Sequence, residues 1–219
     1  MKRRTSPTAA VLAAAAGLLL TACGGGDDRS KANDKIAGAD VDSSPSASTS
    51  PSAAQPDTAE RPKITLPEGV TDDFEDWKTG DTTKDAILSD AAQARLALDY
   101  AGAQGNTKEP ALSFYWKGDA LVDAADWVKW FVDNNSTYVG TVRYYDANVT
   151  VSSTSSAVAI YCSDESKAHN KDKTTKKVDA TAADSKSYVL HNTRLEKDDK
   201  GVWQTVGIVS QRGYKSCIQ

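Results

Sequence analysis

Long apolar runs are scarce in this 219-residue chain. The longest, residues 9–20, reads Ala-Ala-Val-Leu-Ala-Ala-Ala-Ala-Gly-Leu-Leu-Leu. It is too short and too rich in alanine for a membrane-spanning helix, which needs about 20 predominantly apolar residues. Histidine is nearly absent: His169 and His191 stand apart, and the three cysteines include no Cys-x-x-Cys pair. A zinc site built from Cys and His therefore finds no support, and no other metal ligand set stands out. Neither a Gly-x-Ser-x-Gly nucleophile elbow, a phosphate-binding loop nor a dinucleotide glycine motif occurs, so no cofactor is expected. General binding of a phosphate backbone needs clustered Lys and Arg. With a formal net charge of −4 the chain is poorly suited to phosphate backbones, and nucleic acid is not an expected partner.

What is present begins with Lys2, Arg3 and Arg4, followed by the apolar stretch and then Leu20-Thr21-Ala22-Cys23. This arrangement resembles a bacterial lipoprotein signal. The resemblance implies that residues 1–22 are a signal peptide and that the Cys23 thiol carries a diacylglyceryl group as the first mature residue. The mature protein is then expected on the extracytoplasmic face of the cell membrane, held there by the lipid. Two other readings are a secretory signal cut elsewhere and a plain membrane anchor. Thr5, Ser6 and Pro7 follow Arg3-Arg4 where a twin-arginine signal usually carries apolar residues, so the export route stays open. Losing the three basic residues takes the net charge from −4 to −7, which disfavours electrostatic docking to anionic lipid and leaves the acyl group as the membrane attachment.

Assigning Cys23 to lipid leaves Cys162 and Cys217 as a pair. In an oxidising compartment a disulfide is the default for such a pair, worth about 4 kcal/mol on the chain-entropy model; the alternative is two buried thiols.

Residues 24–60 hold no aromatic side chain and are rich in Gly, Ser, Pro and Asp. A segment of that composition cannot offset its ordering entropy by burial. With Cys23 it forms a disordered tether, residues 23–60, with an end-to-end distance on the order of 30–35 Å. Residues 61–81 read as a partly ordered lead-in whose Phe74 and Trp77 pack onto the folded domain, residues 82–219.

In that domain Thr82 and Asp85 fit a capping box, and Ile87, Ala91, Ala94, Leu98 and Ala101 recur at helical spacing, with Gly102 and Gly105 as the stop. A short helix is expected over residues 110–116 and a third over 119–133. In the third, Leu121, Ala124, Ala125, Val128, Phe131 and Val132 share one face. Trp130 falls among its charged residues. Either a neighbouring segment covers it or it is an exposed aromatic for partner contact. Strands follow at 138–145, 148–151, 157–162, 187–195 and 202–211, rich in Val, Ile, Thr and Tyr. Asp146-Ala147 reads as a bulge and Asp198-Asp199-Lys200-Gly201 as a hairpin turn. Residues 163–186 mix both charge signs; the interleaved acids and absence of arginine favour a solvated loop, with an anion site as the alternative.

Helices first and consecutive antiparallel strands afterwards give an α+β fold with helices on one face of a curved sheet. The Ala-rich opening helix, Ala125-Asp126-Trp127-Val128, Thr141-Val142-Arg143-Tyr144, Tyr161-Cys162-Ser163-Asp164 and Gly201-Val202-Trp203 resemble the NTF2-like (SnoaL-like) cone domains of lipoproteins from high-GC Gram-positive bacteria. The resemblance spans about residues 82–219. It implies a cone whose interior tyrosines are drawn from Tyr144, Tyr161 and Tyr188, with His191 as a further candidate pocket residue. Trp116, Trp127 and Trp203 read as core, with a ligand platform as the alternative. No Asp-His dyad sits at a recognisable spacing, so no catalytic residue is assigned.

Three functions fit such a domain: a binding module for a small ligand or an envelope protein, a small isomerase- or dehydratase-like enzyme, and a structural envelope component. An ionisable side chain inside a sizeable pocket would favour the enzyme, and a filled cone with outward aromatics would favour the binding module. A filled cone without an aromatic patch would mark the structural component.

Overall fold

In the computed structural model, which describes residues 57–219, the first helix, α1 (Thr82–Gln104), starts at Asp81. The Asp81 carboxylate accepts from the backbone N–H groups of Thr83 and Lys84. That replaces the expected cap at Thr82. Asp85 instead accepts from the N–H and hydroxyl of Thr79, closing the turn before the helix. Gly105, at φ 71°, is the C-cap. Gly102 does not end the helix but lies inside it, where a Cβ would fall 2.5 Å from Cζ3 of Trp127. Its lack of a side chain is what lets that indole lie against the helix.

Two further helices follow, α2 (Pro110–Tyr115) and α3 (Gly118–Asp133). Ala94, Ala97 and Ala101 of α1 meet Leu112, Tyr115, Ala120, Ala124 and Val128 in one buried cluster. Small residues on both sides allow the close approach that the alanine-rich stripe anticipates. Within α3, Ala120, Ala124, Val128 and Phe131 are buried, whereas Val132 is exposed.

The strands are β1 (Val70–Phe74), β2 (Ser136–Val151), β3 (Ser156–Asp172), β4 (Val178–Asp179), β5 (Tyr188–Lys197) and β6 (Trp203–Arg212). They form one unclosed sheet in the order β1-β2-β3-β5-β6, with β4 added to the end of β3. All pairings are antiparallel except β1 with β2, which is parallel. The lead-in thus contributes a strand. Three helices separate it from β2, and a crossover of that length permits the parallel direction that a hairpin cannot. Phe74 and Trp77 pack with Tyr144 and Tyr161, as expected of them.

Register shifts between Thr141 and Arg143 and between Tyr145 and Asn148 bend β2. The second is the expected Asp146 bulge, with φ 52° at Asp146. At Gly140 the strand turns so tightly (φ 110°) that a Cβ would sit 1.9 Å from the carbonyl oxygen of Lys167. These departures curve the sheet around α1 and α3.

The expected loop 163–186 is corrected. Residues 163–172 continue β3, paired with the first half of β2. Their polar composition hid the strand because several line an open concavity instead of a closed core. Cys162 and Cys217 form the expected disulfide, packed under Tyr145. The sequence expectations for the signal peptide, Cys23 and the tether up to residue 56 lie outside the described residues.

Candidate functional site

The curved sheet and the helices enclose an open cavity of about 440 Å³. The cone is hollow at this end. Its apolar wall comes from α3 (Trp127, Trp130, Phe131) and from Val142 and Ala168 of the sheet. Arg95 and Asp99 of α1, with Tyr138 and Tyr144 of β2, form a polar floor. At the rim, Arg212 is paired with Glu165 at 2.7 Å and also donates to the carbonyl of Lys186.

The floor is built from single polar residues inserted into apolar patterns. On α1, Arg95 lies about 40° around the helix from Ala91 and Asp99 about 40° further, on the flank of the buried stripe. Asp99 is only 3 % exposed. On β1, Asp72 shares the inward face with Val70 and Phe74. The Tyr144 hydroxyl links the two helix residues: it donates to Asp99 Oδ2 at 3.1 Å and accepts from Arg95 Nε at 3.3 Å. The arginine also lies over the Tyr144 ring, 5.3 Å from its centroid.

Asp72 stands behind this group. Neither of its buried carboxyl oxygens has a hydrogen-bond partner among the described residues. Burial, and then the charge of Asp99, pushes its pKa up to about 9. Asp72 is therefore a neutral acid at ordinary pH. Burial also raises the phenols of Tyr144 and Tyr138 far above their usual range. The Tyr138 hydroxyl oxygen is closed off from solvent, and no hydrogen bond of normal geometry reaches it from the described residues.

His191 is buried deeper in the cone. Its Nε2 lies 2.9 Å from Ser163 Oγ and its Nδ1 2.9 Å from Ser210 Oγ, while the ring stacks on Tyr161. Burial, followed by the charges of Arg95 and Arg212, holds its pKa well below the usual value, so the imidazole is neutral. Ser163 is fully buried. The Ser–His contact therefore orders the interior and presents no nucleophile to a ligand.

Of the candidate pocket residues, Tyr144 lines the cavity, and Tyr161 and His191 lie in the interior beside it. Tyr188 does not join them: it packs against Cys162, Cys217 and Tyr145 at the disulfide. Trp130 is 47 % exposed and meets Phe131 edge-on. No neighbouring segment covers it among the described residues, because the cavity lies where a cover would have to sit. Trp116 and Trp203 are core, but Trp127 is 38 % exposed and forms part of the cavity wall.

The sequence reading passed over Asp72, Arg95 and Asp99. The available signals were the alternation Val70-x-Asp72-x-Phe74 and the i, i+4 pair of charges beside the alanine stripe.

No protein-family model and no curated protein matches the chain. Among solved structures, a ketosteroid isomerase-like protein from Erwinia carotovora atroseptica shares 16 % identity, covering 58 % of this chain and 93 % of its own, with a TM-score of 0.41. The intermembrane space region of the chloroplast protein ARC6 shares 13 % identity, covering 62 % of this chain and 98 % of its own, with a TM-score of 0.39. These are likenesses of fold alone, and they assign no activity to this chain.

Proposed function

We propose that the protein is a lipid-anchored extracytoplasmic module that binds a small ligand in its cone cavity. The observation that carries the reading is the cavity itself, about 440 Å³ with an aromatic wall on one side and converging polar groups at its floor. Pockets that hold small molecules combine those two features. Membrane attachment through Cys23 rests on the Leu20-Thr21-Ala22-Cys23 box and its flanks. A structural envelope component would have no use for an open interior. An envelope-protein partner remains secondary, since the exposed aromatics Trp127 and Trp130 belong to the cavity wall.

A hollow cone with ionisable side chains is the arrangement set out above as favouring a proton-transfer enzyme, and the filled cone expected of a binding module is not found: Asp99 lines the cavity with the neutral acid Asp72 behind it. Against it, the Tyr144 proton is already committed to Asp99 and the Tyr138 oxygen is shielded. Neither phenol is free to stabilise a developing oxyanion, so binding is the better reading.

The test uses N-phenyl-1-naphthylamine, a neutral dye that brightens in apolar surroundings. It should bind the full chain, and Ala168→Phe, which fills the cavity from the sheet side, should abolish binding without changing the circular dichroism. Binding unaffected by Ala168→Phe, or no binding at all, would refute the pocket. Cys23→Ala should move the protein out of the membrane fraction, and continued retention there would refute the lipid anchor.

A further inference from the structure

Five arginines lie among the described residues, and their surroundings differ in a telling way. Arg61 is paired with Asp57 and Asp90, Arg143 with Glu75 and Asp164, and Arg212 with Glu165. Arg194 is exposed on the surface. Arg95 alone of the five points into the cavity without a direct ion pair to any described carboxylate. Its Nε is used by the Tyr144 hydroxyl, and Asp99 is engaged by that same hydroxyl and not by the guanidinium. No described group hydrogen-bonds its Nη1 or Nη2, and the residue lines the cavity.

A planar pair of N–H donors matches a carboxylate oxygen for oxygen. A phosphate dianion suits the site less well. It would need more than one cation, and Asp99 stands close by with a charge of the same sign. The same cavity is lined by the aromatic rings of Trp127 and Phe131 and by Val142. We infer that Arg95 anchors the carboxylate of a small amphipathic ligand whose aromatic or alicyclic body lies against the α3 wall. This assignment rests on the pocket reading above and narrows it to a ligand class.

Calorimetric titration of the full chain with 2-naphthoate and with its neutral counterpart 2-naphthalenemethanol tests the inference. The two probes share an apolar body and differ in charge. The wild-type protein should prefer the carboxylate about tenfold to a hundredfold, the range of a charge-assisted hydrogen-bond pair. Arg95→Gln should erase that preference, so that the two probes bind it with equal affinity. Arg95→Lys, which keeps the charge but not the fork, should retain only part of it. The wild-type comparison needs no variant, so a folding defect in Arg95→Gln would not protect the idea. Equal affinity for both probes in the wild type, or a preference that survives Arg95→Gln, overturns the anchor while the pocket stands. Failure of the wild type to bind either probe overturns both.

Discussion

Replacing Asp72 by asparagine should make the protein more stable at neutral pH. The carboxyl oxygens are buried beside Asp99, neither accepts a hydrogen bond from the described residues, and the native pKa is pushed up to about 9 by burial and then by the Asp99 charge. In the unfolded chain an aspartate titrates near 3.9. Between those values the native state binds more protons than the unfolded state. Wild-type stability therefore falls as pH rises from about 4 towards the native pKa and levels off above it. An amide keeps the shape of the neutral acid and does not ionise. At pH 7 the wild-type penalty covers about three pH units at about 1.4 kcal/mol each, roughly 4 kcal/mol, and about half of that survives if the pocket relaxes. Asp72→Asn should accordingly gain about 2–4 kcal/mol, or about 5–10 °C in Tm for a domain of this size. Scanning calorimetry at pH 7 and pH 3 checks it, with the two proteins expected to melt together at the lower pH. A variant that is less stable at pH 7, or a gap of equal size at both values, would refute the argument.

Arg61→Gln removes a bidentate ion pair from the fully buried Asp90, whose remaining partner is the backbone N–H of Trp203. A loss of about 3–5 kcal/mol in urea unfolding is expected, and pairing the change with Asp90→Asn should recover part of it. Gly102→Ala drives a methyl group into the Trp127 ring. It should cost about 1–3 kcal/mol despite the better helix propensity of alanine, with an altered tryptophan emission spectrum. Replacing Cys162 and Cys217 together by alanine should lower stability by about 4 kcal/mol, and an unchanged denaturation midpoint would show that the bridge contributes little.

The helices were legible because their apolar residues recur every three to four positions, and the bulge at Asp146 because a polar pair interrupts a β-rich run. Exact caps were not. Asp81 and Thr82 are both competent N-cap residues, and only the path of the chain through Thr79 and Gly80 decides between them. The long half of β3 escaped notice because Ser163, Glu165, Ser166, His169 and Asn170 lack the apolar alternation of a strand facing a dry core. The floor of the cavity was the least visible part. Asp72 comes from the lead-in and Tyr144 from a strand 72 residues further on. Arg95 and Asp99 sit on a helix whose apolar stripe drew the eye. Only the parallel pairing of β1 with β2 and the crossing of α1 over the sheet bring these residues together.

The position of residue 57 bears on how a ligand arrives. Asp57 lies against Gly201, and Thr58 donates its N–H to Lys200, at the tip of the β5–β6 hairpin. From that tip the two strands run ten residues each, about 30 Å, to Tyr188 and Arg212 beside the opening. Residue 57 and the cavity opening thus lie at opposite ends of the domain. With the proposed lipid at Cys23, a protein held from the side of residue 57 would present its entrance to the surrounding medium, and its guest would come from solution instead of sliding in from the bilayer.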